Sequence, residues 1–293
     1  MRVFVTGASG GIGSAVVPEL VSAGHEVIGL ARSDASAAAI AAMGATPLRG
    51  ALADAASLRE GADRADGVIH LAFGNDFTSI PADVDEETLA VQTLADALEG
   101  TGKAFVLASG TPAVPGRLAT EDDAMSTDGP LGGRARNART VLGLAERGVR
   151  SATVRLPRSV HAGDGRYGFA SAVLMAAQRT GVAGYVGDGM QRWPAVHRLD
   201  AARLFRLVLE RAEPGTVAHA VGDEGDAMRS ISEAIGRRLS LPAESVPAET
   251  FGFLGTVFAV DQPASSALTR ERFAWEPTHP SLLEDLATGV LPA

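Results

Sequence analysis

The chain has 293 residues, 46% of them hydrophobic, with a formal net charge of −9 and no cysteine. This composition supports a sizeable core; the acidic balance argues against a nucleic-acid or anionic-membrane surface, and the missing thiol excludes disulfides, a cysteine nucleophile and zinc–thiolate sites. No apolar run approaches ~20 residues and no charged-then-apolar leader precedes the first strand, so a cytoplasmic protein without a membrane span is expected.

Val3, Phe4 and Val5 form a short apolar run suited to a buried strand. Gly7, Ser9, Gly10, Gly11, Ile12 and Gly13 follow, and then Ala15, Val16, Val17, Leu20 and Val21 recur at helical spacing. Strand, glycine turn and helix together make a nucleotide-site motif. Gly7 permits a sharp turn, Gly10 lets backbone N–H groups approach a pyrophosphate, and Gly13 lets the helix pack closely on its strand.

The stretch Thr-Gly-Ala-Ser-Gly-Gly-Ile-Gly, residues 6–13, resembles the short-chain dehydrogenase/reductase superfamily, in the extended or atypical branch that includes NAD(P)-dependent epimerases and dehydratases. The resemblance implies a dinucleotide cofactor. It is joined by an alternation of strand and helix over residues 2–157, which requires crossover helices and hence parallel strands. The expected fold is α/β, a Rossmann-type doubly wound parallel sheet with a smaller C-terminal substrate-binding lobe. Residues 1–160, with 195–215 returning, are assigned to the NADP-binding domain, and 161–194 and 216–293 to the lobe.

Residues 25–31 read as a second strand. An acidic residue near the end of that strand suits the ribose of NAD; Arg32 and Ser33 stand there instead, and a guanidinium beside a hydroxyl suits a 2′-phosphate. Asp34 lies close enough to blunt that preference. NADP is the expected cofactor. Residues 36–43 read as a helix and 45–49 as a third strand, after which Gly50-Ala51-Leu52 lacks the family's aspartate, leaving the backbone of Leu52 for the adenine. Residues 67–72 are a fourth strand carrying His70, read as a packed histidine. In the family this strand ends beside the nicotinamide ribose, which implicates Leu71, Ala72 and Phe73. A helix over 85–98 is one the family often uses for a homodimer.

The fifth strand, 103–111, runs into Ser109 and Thr111. The resemblance implies a catalytic hydroxyl here, and alignment leaves both residues open. The family's Tyr-x-x-x-Lys helix follows the Thr120-Glu-Asp-Asp loop and Pro130, but this chain reads Pro130-Leu-Gly-Gly-Arg134-Ala-Arg136. Its two tyrosines, Tyr167 and Tyr185, have no lysine four residues on, and Lys103 is the sole lysine. Arg134 can replace a cation's ribose contact but cannot act as an acid near neutral pH.

After a sixth strand, 149–156, the run from Leu156 to Gly163 resembles the segment that covers the nicotinamide, which implicates Pro157 and Val160; His161 lies on it as a candidate substrate contact. Tyr167, in a glycine-rich loop with Arg158 and Arg166 nearby as activating charges, is the first candidate proton donor, with His161 as the other. Arg192 and Trp193 resemble the segment that binds a sugar-nucleotide diphosphate and are expected to select the substrate; Asp200 is expected to cap a helix over 201–211. Residues 268–277 resemble the family's C-terminal Leu-Gly-Trp-x-Pro signature, with Ala274 for its glycine. The six histidines are dispersed, and no metal site is expected. The leading expectation is an NADPH-dependent reductase of a small carbonyl substrate. The alternatives are a catalytically silent NADP-binding sensor or interaction protein and, last, a sugar-nucleotide epimerase or dehydratase.

Overall fold

The computed structural model describes residues 1–74, 80–129, 131–252 and 254–291. The chain divides into two compact units. The first comprises residues 1–109, 125–155 and 202–218, and the second 110–124, 156–201 and 219–293. The stretch 110–124, read with the nucleotide domain from periodicity, therefore clusters with the second unit. Pro130, part of the family resemblance, lies outside the described residues.

The first unit runs β1 (Arg2–Thr6), α1 (Gly13–Ser22), β2 (Glu26–Ala31), α2 (Asp34–Ala42), β3 (Thr46–Arg49), α3 (Ala55–Arg64), β4 (Gly67–His70), α4 (Ile80–Leu98), β5 (Ala104–Gly110), α5 (Gly132–Gly143) and β6 (Arg150–Leu156). The chain then enters the second unit with β7 (Ser159–His161), α6 (Ala170–Thr180), β8 (Ala183–Val186) and β9 (Arg192–His197). It returns through α7 (Arg198–Arg211) and β10 (Thr216–His219), and ends with β11 (Asp223–Ala227), α8 (Met228–Leu239), β12 (Ala243–Val246), α9 (Leu254–Phe258), α10 (Ala267–Phe273) and α11 (Leu282–Thr288).

Seven strands form one parallel sheet in the order β10-β6-β5-β4-β1-β2-β3. Strand order reverses between β1 and β4, the position where open α/β sheets leave a crevice at their carboxyl ends. Val3, Phe4 and Val5 are completely buried, as a strand covered on both faces requires. Phe4, Leu58, Val91, Leu94, Phe105 and Val141 belong to one core cluster that joins the sheet to α3, α4 and α5. Asp54 caps α3 by accepting from the N–H groups of Ala56 and Ser57.

In the second unit β11, β9 and β7 form a three-stranded sheet and β12 pairs with β8. The buried Met228, Ile231, Ser232, Ala234 and Ile235 of α8 recur at helical spacing, and its apolar members join Trp193 and Phe258 in the core.

Candidate dinucleotide site and a polar second unit

The glycine turn works as its spacing suggests, with one refinement. Gly7 has φ +69°, and a Cβ there would lie 2.8 Å from the Ala72 nitrogen, so glycine is needed both for the turn and for the close passage of β4's end. A Cβ on Gly13 would lie 2.1 Å from the Gly7 carbonyl oxygen and 2.7 Å from that of Ala8, so Gly13 closes α1 onto its own turn. Gly10 and Gly11 are exposed, with Ser9 beside them, and Ile12 precedes the helix without a side-chain cap. The first N–H groups of α1 therefore carry no capping side chain, as an anion site requires.

The other first-unit candidates gather along the same sheet end. Leu71, Ala72 and Phe73 follow β4, half-buried; Arg32 and Ser33 follow β2, exposed; Leu52 follows β3, half-buried. Ser33 also starts α2, where its hydroxyl accepts from the Ser36 N–H in a capping box. Asp34 pairs with Arg49 at 3.4 Å, both exposed, rather than with Arg32. Ser109, near the end of β5, is 3% exposed and donates to the Met125 thioether at 3.1 Å, a weak acceptor readily exchanged for a carbonyl.

Arg134 is committed to its own unit. Its Nε donates to both Glu87 oxygens at 3.1 and 3.3 Å, and a terminal nitrogen donates to the Ala108 carbonyl at 3.1 Å. Glu87, 1% exposed, also accepts from Asn137, tying α4 to α5. The Arg134 guanidinium lies 4.1 Å from the Phe73 ring centre. The sole lysine is committed as well: Lys103 Nζ donates to the carbonyls of Ala62 and Asp63 in the last turn of α3. His70 is buried and shares a 2.7 Å hydrogen bond with Thr6; burial first, and the Arg134 charge second, push it down to about 3.

Several second-unit candidates are corrected. Tyr167 is completely buried, and its hydroxyl donates to the Val290 carbonyl at 2.7 Å. Burial leads the causes that raise it above the ordinary phenol range, with no arginine at 158 or 166 among those causes. The Tyr167 hydroxyl thereby ties the C-terminal segment to this loop. Trp193 is also completely buried in the core, its ring centre 4.6 Å from that of Phe258. Arg192 grips Asp261 through Nε at 3.1 Å and a terminal nitrogen at 2.8 Å. The diphosphate role expected for Arg192 thus meets a guanidinium whose fork already holds a carboxylate. Thr111 belongs to the second unit, 4% exposed, with its carbonyl accepting from Gln262. Pro157 is buried and Val160 half-buried in the same unit.

His161 is 1% exposed, and its Nδ1 shares a 2.7 Å bond with Asp285. Burial first holds it below the usual histidine range, against the raising effect of Asp285. This dyad differs from the expected solvent-facing substrate contact. Asp200 does not cap a helix beginning at 201: α7 starts at Arg198, and the carboxylate instead accepts from the backbone N–H groups of Thr278 and His279. The tertiary structure also brings His197, Asp200 and His279 within 4.8 Å, a juxtaposition that sequence spacing conceals. The His197 and His279 rings stack at 4.6 Å and 9°, and His197 Nδ1 accepts from the Leu199 N–H. In-plane lone pairs of parallel rings do not converge on one ion, so the group reads as a hydrogen-bonded tether and not a metal cage.

A parallel sheet with this strand order, a glycine turn at its reversal point and a helix beginning there define a Rossmann-type, short-chain dehydrogenase/reductase-like protein. The chain belongs to the NAD-dependent epimerase/dehydratase family, whose model matches residues 3–221. It is 42% identical over 296 residues to uncharacterized protein C2A9.02 of Schizosaccharomyces pombe, covering 99% of each chain. It is 43% identical over 293 residues to uncharacterized protein YLL056C of Saccharomyces cerevisiae, covering 98% of each. Among solved structures, DesIV, a dTDP-glucose 4,6-dehydratase from Streptomyces venezuelae with NAD and TYD bound, superposes with TM-score 0.81 at 19% identity, over 98% of this chain and 95% of that one. That likeness shows the fold. No described helix is long and apolar enough to cross a membrane.

Proposed function

We propose that this chain is an NADP-dependent oxidoreductase that reduces a carbonyl in a small cytoplasmic substrate. The observation that carries the reading is the cradle at the sheet reversal: Gly7 and Gly13 sit where a Cβ would collide with backbone, and Arg32 stands exposed at the end of the neighbouring strand. Gly7, Gly10 and the start of α1 would hold the pyrophosphate, Arg32 the 2′-phosphate, and Leu71 to Phe73 the nicotinamide ribose. The bound nicotinamide supplies hydride. Ser109 exchanges its thioether partner for the substrate carbonyl and polarises it, with Thr111 kept as the alternative hydroxyl. With Tyr167 buried and both Arg134 and Lys103 committed, the product oxygen takes its proton from water.

Titration with NADPH and NADH tests the cofactor assignment. Arg32→Ala is expected to lose about 1.5–3 kcal/mol of NADPH affinity, one charge-assisted contact, and to leave NADH unchanged. Equal affinities in the wild type, with no effect of the substitution, would remove the NADP assignment. The committed Lys103 and buried Tyr167 favour a second reading, a catalytically silent NADP-binding sensor or interaction protein. Following the cofactor absorbance across a panel of carbonyl compounds separates the two: turnover lost in Ser109→Ala supports the enzyme, and no turnover with any compound supports the sensor. The exposed Leu89 on α4 fits the homodimer that the family resemblance implies.

A further inference from the structure

The second unit buries a cation that has no counter-ion among the described residues. Arg158, immediately before β7, is 8% exposed. Its terminal nitrogens donate to two neutral acceptors, the Val257 carbonyl and Gln262 Oε1, and its Nε has no partner among the described residues. The Trp193 ring centre lies 5.2 Å from Cζ. Burial lowers the guanidinium to about 10, which leaves it charged at neutral pH.

Among the described residues no acid forms an ion pair with Arg158. Asp261 is gripped by Arg192, Asp285 by His161, and Asp223 accepts from the Leu282 N–H. Asp226 is pushed up to about 6 by its own burial and by Asp223. A buried charge held only by carbonyl dipoles and a π face costs several kcal/mol. The guanidinium carries five N–H donors, and the two neutral acceptors use two of them. The planar fork that remains matches an oxyanion in shape as well as charge.

We propose that Arg158, with Gln262 and Trp193, is a receptor for an oxyanion group, carboxylate or phosphate, on a small organic ligand. The Gln262 amide is fixed from both ends: Oε1 accepts from Arg158, and Nε2 donates to the Thr111 carbonyl. Its Nε2 also lies 3.4 Å from the Thr111 hydroxyl. Gln262 thereby links Arg158 to one of the two candidate catalytic hydroxyls. In a chain of net charge −9, a buried guanidinium without a counter-ion among the described residues is a local feature of opposite sign. The receptor gives the proposed reductase an organic-acid substrate class and rests on that reading for its use. Its binding does not depend on turnover, so failure of either leaves the other standing.

Binding of benzoate, phenyl phosphate and benzamide to the NADPH-loaded protein, by calorimetry and tryptophan emission, tests the proposal. At least one anion is expected to bind tenfold or more tightly than benzamide, and Arg158→Gln to bring that ratio to about one with NADPH affinity retained. Should Arg158→Gln fail to fold, Gln262→Glu places a carboxylate against Arg158 and is expected to abolish the preference in the same way. Equal binding of all three compounds, no binding by either anion, or a preference that survives these substitutions overturns it.

Discussion

Half-buried Arg134 in the first unit and buried Arg158 in the second are treated oppositely. In the first, Arg134 meets Glu87 through two nitrogens and the Ala108 carbonyl through one of them. In the second, Arg158 meets, among the described residues, a carbonyl, an amide oxygen and the face of an indole. A half-buried cation paired with a buried carboxylate has its electrostatic need met inside the fold and is read as architecture. An unpaired one retains a need that a ligand can meet. The nitrogens of Arg134 join α4 to β5.

The largest expected effect lies in the cradle of the first unit. Gly13→Val should abolish cooperative unfolding and NADPH binding, because its Cβ would stand 2.1 Å from a backbone oxygen that cannot retreat. Gly11→Ala, with no protein atom within 4 Å of its Cβ, should leave cooperative unfolding intact, and calorimetry checks the pair. A folded, NADPH-binding Gly13→Val would show that α1 is not seated on its turn.

Next comes the ion pair itself. Glu87→Gln should cost on the order of 3 kcal/mol in urea unfolding, since it strands the Arg134 charge beside a neutral amide. A loss below about 0.5 kcal/mol would erase the contrast between the two arginines.

Acidification is expected to act more gently, and in a fixed direction. His70, His161 and His197 all lie below the usual histidine value of 6.5, with burial the leading cause. The unfolded chain therefore binds more protons below pH 6.5, so their contribution is complete above that pH and is lost as pH falls through it. Asp226, raised to about 6, works the other way: its contribution is complete below its ordinary 3.8 and lost as pH rises towards 6. His70 is the largest single contribution, about 3 kcal/mol lost between pH 7 and 4, and Asp226 offsets about 2 kcal/mol of it, so the net fall should be on the order of 1 kcal/mol. Melting temperatures across that range should flatten in His70→Asn, and an unchanged slope would mean His70 is not the main titrating group.

The smallest effect is expected at Arg192, whose pair with Asp261 is more than a third exposed on both sides. Arg192→Ala should change stability by no more than about 0.5 kcal/mol, and denaturant titration in low and high salt checks it.

The sequence by itself determined the frame of the first unit. The run Val3 to Val5, the glycines at 7, 10 and 13, and the alternation of apolar strands with amphipathic helices are local signals, each written within a dozen residues, and they placed the fold and the family. Composition likewise disposed of cysteine chemistry. Side-chain commitments were decided only by tertiary structure, because the partners are remote: Tyr167 meets Val290, Arg192 meets Asp261, His161 meets Asp285, and Asp200 meets Thr278. An arginine or tyrosine in a polar loop reads the same whether it awaits a substrate or is tied to residues far along the chain. What separates the cases is whether the desolvation of a buried polar group is offset inside the fold, and that depends on pairings brought together by sheet order and the return of the chain through α7, which no local pattern encodes.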